Sequence, residues 1–137
     1  MEERVKQIKE KHKKGYNCAQ IVLCAYSDLL EMDEETLFRI AEGFGAGMGG
    51  MMETCGAVTA MFMAAGLKNS SGDLSACNTK PQTMKLVREL AKEFRDKNQS
   101  IICRELKGVE TGKMLRDCDG CIEDAIRILG EKVFGLS

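Results

Sequence analysis

The chain has 137 residues, of which 44% are hydrophobic and 30% charged, and its formal net charge is −1. This length suits one domain with a single core. A net charge this small gives no whole-molecule attraction to nucleic acid or to an anionic membrane surface, so neither is expected as a partner. With one proline and no tryptophan, the composition favours helices over strands.

Two segments bear on the cellular location of the protein. The N-terminal segment is charged and periodic, unlike a secretory signal, which predicts a cytoplasmic protein. Residues 43–67 are long enough to cross a membrane, but they contain Glu53 and several glycines. They therefore predict a buried core helix and no membrane span.

The first half of the chain predicts three helices. The first covers residues 2–14 and ends at a plausible glycine stop. Asn17 caps the second helix, because Gln20 stands in the reciprocal capping position, and Asp33 caps a third helix that runs through Ala41. The apolar face of the second helix comprises Cys18, Ile21, Val22, Ala25 and Leu29.

The central stretch, Gly43 to Gly66, begins as a glycine-rich loop and continues as a helix of small side chains from about Met51 to Ala65. Gly56, Ala60 and Ala64 are four residues apart and share one helix face. Such a face lets a neighbouring backbone come close, and Cys55 lies near the start of the helix.

The second half predicts a polar turn region, a long amphipathic helix over residues 79–97, a short turn from Cys103 to Gly108, and a last helix over 120–130 capped by Asp117 or Asp119. The buried stripe of the long helix comprises Met84, Val87, Leu90, Ala91 and Phe94. We therefore expect an all-α, single-domain bundle of about five or six helices over residues 1–137, built around the small-residue helix.

Seven cysteines are the unusual feature of the composition. Five of them fall at or near predicted helix starts: Cys18, Cys55, Cys103, Cys118 and Cys121. Unpaired N–H groups and the positive end of a helix dipole stabilise a thiolate, which makes the sulfur a better nucleophile, redox centre or metal ligand. Together they suggest that several helix starts converge on one site.

Other groups carry weaker signals. The single histidine, His12, lies in a lysine-rich segment and is expected at the surface, so hydrolase triads are hard to build. Cys118 and Cys121 form a C-x-x-C, which suits either a redox dithiol or half of a four-sulfur metal site. Without a βαβ context the motif is a poor match to a thioredoxin site, and without a second C-x-x-C it does not form a zinc ribbon. A redox dithiol and a four-cysteine metal site assembled from distant segments both stay open.

The order of Asn17-Cys18-Ala19-Gln20, the glycine-rich loop with Cys55-Gly56-Ala57, then Cys103 and Cys118, resembles the C-GCAxxG-C-C family of small redox-active proteins. The resemblance runs from Gly15 to about Leu129. It implies that the family cysteines are Cys18, Cys55, Cys103 and Cys118, and that the partner is a redox protein or a transporter or oxidoreductase component. Two departures are Ala60, where the family motif has glycine, and the additional thiol of Cys121.

Three functions follow as hypotheses. In the first, Cys55 exchanges with Cys18, Cys103 or Cys118 in thiol–disulfide exchange or electron transfer, as in a thiol–disulfide oxidoreductase. In the second, Cys18, Cys55, Cys103 and Cys118 hold zinc or an iron–sulfur cluster. In the third, the chain is a helical interaction protein whose thiols are merely buried. A homodimer would use the small-residue helix face or a methionine-rich surface.

Overall fold

The computed structural model describes residues 1–136, and within them every regular element is helical. The helices are α1 (Glu2–Lys6), α2 (Ile8–Lys14), α3 (Cys18–Cys24), α4 (Ser27–Leu30), α5 (Glu34–Ala41), α6 (Gly56–Asn69), α7 (Lys80–Asn98), α8 (Cys103–Lys107) and α9 (Cys118–Lys132). The all-α prediction is confirmed. The helix count is above the expected five or six because several segments are only one or two turns long.

Helix α6 is the centre of the bundle and packs against α3, α7 and α9. Gly56, Ala60 and Ala64 are all buried, and so is most of the helix circumference. The small-residue face is therefore occupied within the chain, by α3 above all, and it is not free to form a homodimer contact. The helix begins at Gly56 rather than near Met51.

Two N-caps fix the helix starts that matter most. The Asn17 side chain accepts a hydrogen bond from the Gln20 N–H (2.9 Å), and Gln20 Oε1 accepts one from the Asn17 N–H (2.8 Å), which completes the predicted capping box. Asp117 caps α9 by accepting from the Gly120 N–H at 2.9 Å. Cys18 and Cys118 thus become the first residues of their helices.

Two residues expected in the core are exposed. Leu29 is 37% exposed because the chain breaks after Cys24 and restarts as α4, which turns Leu29 away from the α3 face. Met84 is 51% exposed because the first turns of α7 lie beside the exposed loop 70–79, whereas Leu90, Ala91 and Phe94 are buried as expected.

None of the helices in residues 1–136 combines the length and the apolar character that crossing a membrane requires.

The capping box gives a prediction about stability. We expect Asn17→Ala to lower the free energy of unfolding by about 1–2 kcal/mol, because its side chain both caps α3 and donates from Nδ2 to the Glu42 carbonyl at 2.9 Å. The matched control is Asp33→Ala, an exposed cap of α5 that bonds only to Thr36, with an expected loss of about 0.5–1 kcal/mol. Urea unfolding measures both, and equal losses would contradict the added role of Asn17.

Candidate dithiol site

One cavity of about 210 Å³ is lined by all five cysteines that the sequence singles out, and they reach it from four helix starts. Cys18 opens α3, Cys103 opens α8, Cys118 opens α9 with Cys121 one turn later, and Cys55 is the N-cap residue of α6. The other two cysteines, Cys24 and Cys77, line different hollows. The chemical role of the five cysteines stays a prediction, but the structure does bring them together.

A short antiparallel contact sets Cys55 beside Cys103. The Cys55 N–H donates to the Ile101 carbonyl at 2.8 Å, and the Cys103 N–H donates to the Glu53 carbonyl at 2.7 Å, around a bridge between Thr54 and Ile102. The residues before Gly56 are held in this contact and cannot join α6. The late start of α6 and the position of Cys103 thus have one cause.

Gly56 explains why a glycine follows Cys55. A Cβ at position 56 would lie 2.5 Å from Cys18 Sγ and 2.7 Å from the Phe44 carbonyl oxygen. Any other side chain would push α3 away from α6. The predicted close approach is therefore present, and what comes closest is the sulfur of Cys18.

The glycine loop bends around the same site. Residues 46–50 all have positive φ, including Ala46 at 50° and Met48 at 68°, a conformation that is costly for residues other than glycine. Gly47 is required there because a Cβ would lie 2.6 Å from Cys103 Cβ. The strained turn aims the Ala46 N–H at the sulfur of Cys18.

Cys18 and Cys118 form an outer thiol pair. A hydrogen bond from Cys118 lowers the pKa of Cys18 to about 6, and the backbone N–H groups of Ala46 and Ala19 add to this effect against the cost of burial. The pKa of Cys118 is raised, because its thiol proton is held by Cys18 and part of it is buried. Cys118 is exposed while Cys18 is buried, so one thiolate and one accessible thiol share a proton.

Cys55 and Cys121 form a second, inner pair. A hydrogen bond from Cys121 lowers the pKa of Cys55, while burial and the nearby Cys18 charge oppose that shift. The pKa of Cys121 is raised by that hydrogen bond and by burial. That Cys55 exchanges with Cys18, Cys103 or Cys118 stays a prediction. The thiol that hydrogen-bonds to Cys55 is Cys121, which the family resemblance left as an addition.

Cys103 lies in the cavity outside both pairs. Burial raises its pKa, and the positive charge of Lys107 only partly offsets that effect. Cys24, outside the cavity, has its pKa raised to about 12 by burial. At both residues the raised pKa favours the protonated thiol.

The zinc alternative requires at least three ligands around one ion. Within residues 1–136, no three His, Cys, Asp or Glu side chains are placed to share a metal ion. The zinc hypothesis therefore gains no support from this geometry. An iron–sulfur cluster distributes its cysteine ligands over several iron atoms, so that hypothesis, with Cys18, Cys55, Cys103 and Cys118 as ligands, stays a prediction.

Sequence reasoning missed His12, which lines the cavity. Its Nδ1 lies 2.7 Å from Asp119 Oδ1, and its side chain is only 32% exposed. No local sequence pattern predicts this, because α2 meets the start of α9 only in the folded chain.

Arg116 forms another part of the cavity wall. It bonds to Asp124 through Nε (3.2 Å) and Nη2 (3.3 Å), and the same carboxylate accepts from Asn98 at 3.1 Å. A Cβ at position 120 would collide with the Arg116 guanidinium. Gly120, inside the C-x-x-C, therefore lets Arg116 cross the first turn of α9.

The Cys18 pKa gives a pH prediction. Because that pKa lies near 6, below that of an ordinary thiol, the thiolate persists above it and is lost as the pH falls through it. We expect the alkylation rate of Cys18 by iodoacetamide, followed peptide by peptide, to be half-maximal near this value and flat at higher pH. Cys118→Ala should shift the midpoint upward, whereas Cys24→Ala should not. An unshifted midpoint in Cys118→Ala would contradict the hydrogen bond.

The Gly56 contact gives a packing prediction. We expect Gly56→Ala to lower the free energy of unfolding by about 1–3 kcal/mol, because the new methyl group would collide with Cys18 Sγ. The control is Gly66→Ala in the same helix, where no atom lies within 4 Å of the new Cβ, and it should gain up to about 1 kcal/mol of stability from helix propensity. Urea unfolding compares the two, and a neutral Gly56→Ala would exclude the close contact.

Comparison with known proteins identifies a family. The sequence profile of a family described as "Putative redox-active protein (C_GCAxxG_C_C)" matches residues 16–132. No curated protein matches the chain. No solved structure matches it either. The matched segment includes all five cavity cysteines and covers most of the sequence. The chain is therefore a member of the C-GCAxxG-C-C family.

Proposed function

We propose that this protein carries out thiol–disulfide exchange with a disulfide-bearing partner, through the Cys18/Cys118 pair first. The single observation that carries the proposal is that five cysteines from four helix starts line one cavity, in which the pKa values of Cys18 and Cys55 are lowered and those of Cys118 and Cys121 are raised. A redox dithiol needs these two states side by side, since the thiolate attacks and the thiol resolves.

The first step is attack by the Cys18 thiolate on one sulfur of a partner disulfide. A bond forms between Cys18 and that sulfur, the partner S–S bond breaks, and the second partner sulfur leaves as a thiolate that takes up a proton. Cys118 then loses its proton and attacks Cys18 Sγ, which releases the first partner sulfur. The protein ends with a Cys18–Cys118 disulfide and the partner disulfide is reduced to two thiols.

The outer pair is the better candidate for contact with a partner. Cys18 is buried, but it is paired with the exposed Cys118, whereas Cys55 and Cys121 are both buried. A negative charge on Cys18 also opposes ionisation of Cys55. Cys55 and Cys121 would then serve as an inner pair, and Cys103 as a thiol held in its protonated form.

Trapping tests this assignment. The reduced protein is mixed with bis(2-hydroxyethyl) disulfide, and products are followed by intact mass and peptide mapping. We expect the parent protein to form an internal disulfide. Cys118→Ser, made in a background that also carries Cys55→Ser and Cys103→Ser because both sulfurs lie near Cys18, should accumulate a hydroxyethyl adduct on Cys18, since no resolving thiol remains beside it. Cys18→Ser should form at least about tenfold less adduct at the outer pair, since it lacks the stabilised thiolate.

Cys24→Ser is the matched control, because Cys24 is buried outside the cavity, and it should behave like the parent. If Cys18→Ser reacts as fast as the parent, the outer pair is not the reactive one and the proposal fails. A Cys118→Ser variant that forms no persistent adduct would fail it equally.

A further inference from the structure

His12 is the remaining functional group of the cavity whose role the cysteine chemistry leaves open. It comes from the last turn of α2, and Asp119 engages its Nδ1 at 2.7 Å, which leaves Nε2 as the ring nitrogen available to the cavity. It lies before residues 16–132, so the family's cysteine pattern does not include it. Asp119 directly follows Cys118, so the imidazole is anchored next to the outer pair.

The other charged groups of the cavity wall can donate a hydrogen bond but, unlike an imidazole, have no atom that accepts a proton. Lys107 and Arg116 line the cavity from α8 and from the segment before α9. Both side chains carry N–H donors and no acceptor atom, and Arg116 is also held by Asp124. Among the lining residues that the structure describes, His12 is the one side chain with an imidazole ring, whose two nitrogens can serve as proton donor and as proton acceptor.

The exchange reaction needs such a group twice. The first leaving sulfur departs as a thiolate, and Cys118, which is protonated, must lose its proton before it can attack. A side chain placed beside the sulfurs can carry out both proton transfers as general acid and general base.

We propose that His12, oriented by Asp119, is the proton-transfer residue of the Cys18/Cys118 pair, an inference that rests on the proposed thiol–disulfide exchange. The imidazolium gives its Nε2 proton to the first leaving thiolate. The neutral imidazole then takes the proton of Cys118 as that sulfur attacks Cys18, and gives it to the second leaving thiolate. In total, the partner disulfide, the Cys18 thiolate, the Cys118 thiol and one proton give two partner thiols and the Cys18–Cys118 disulfide.

The test compares two disulfides with different leaving groups. The leaving thiolate of 5,5′-dithiobis(2-nitrobenzoate) is weakly basic and needs no proton, while that of bis(2-hydroxyethyl) disulfide is strongly basic. We expect His12→Gln to slow reaction with the second disulfide at least about tenfold. With the first disulfide, release of the first thionitrobenzoate, which precedes any proton loss from Cys118, should stay within about twofold. Rapid-mixing measurements under single-turnover conditions give both rates.

Controls separate proton transfer from a structural role. His12→Asn keeps an amide where Nδ1 meets Asp119 but lacks Nε2, and it should behave like His12→Gln. Lys13→Gln changes the exposed neighbour on α2 and should leave both rates unchanged. Equal slowing with both disulfides, or slowing with neither, would overturn the inference.

Failure of the inference is distinguishable from failure of the proposed function. If Cys18→Ser reacts with both disulfides as fast as the parent does, the thiol–disulfide proposal itself is wrong. If Cys18→Ser is slow while His12→Gln matches the parent, the exchange stands and only the role of His12 is wrong.

Discussion

The convergence of helix N-termini on buried sulfur is the constraint on which the rest of this structure depends. α3, α6, α8 and α9 all begin at one cavity, and each brings a cysteine at or beside its first residue. Positive helix ends gathered in one place are unfavourable unless negative charge lies among them. The lowered pKa values of Cys18 and Cys55 favour the negative thiolate at these helix starts, so the fold and the acidity of its thiols support each other.

Close packing makes this convergence sterically achievable. Gly56 lets the Cys18 sulfur lie against the start of α6, and Gly47 lets the loop cross over Cys103. The loop accepts left-handed backbone at Ala46 and Met48, which costs free energy at each non-glycine residue. The loop is therefore best understood as a structural part of the site, since one strained residue donates its N–H to Cys18.

The chemistry follows from how protons are distributed among the sulfurs. Burial alone would raise every thiol pKa, as it does for Cys24 and Cys103. Hydrogen bonding within each pair lowers the pKa of one thiol and raises the pKa of the other. Exposure then distinguishes the two pairs, because Cys118 is the one exposed cysteine of the cavity. A site that holds one accessible pair and one enclosed pair suits a partner that docks at the surface.

The sequence by itself determined the helical class, the caps at Asn17 and Asp33, a last cap at either Asp117 or Asp119, and the five cysteines at helix starts, because capping and periodicity are local properties. Tertiary structure decided that the last cap is Asp117 and which thiols hydrogen-bond to each other. Cys55 receives its hydrogen bond from Cys121, since this contact depends on how α6 and α9 cross. The true start of α6 needed the contact between residues 52–55 and 101–104, and the place of His12 needed α2 to meet α9. Both join segments far apart in sequence, and no local pattern encodes such contacts.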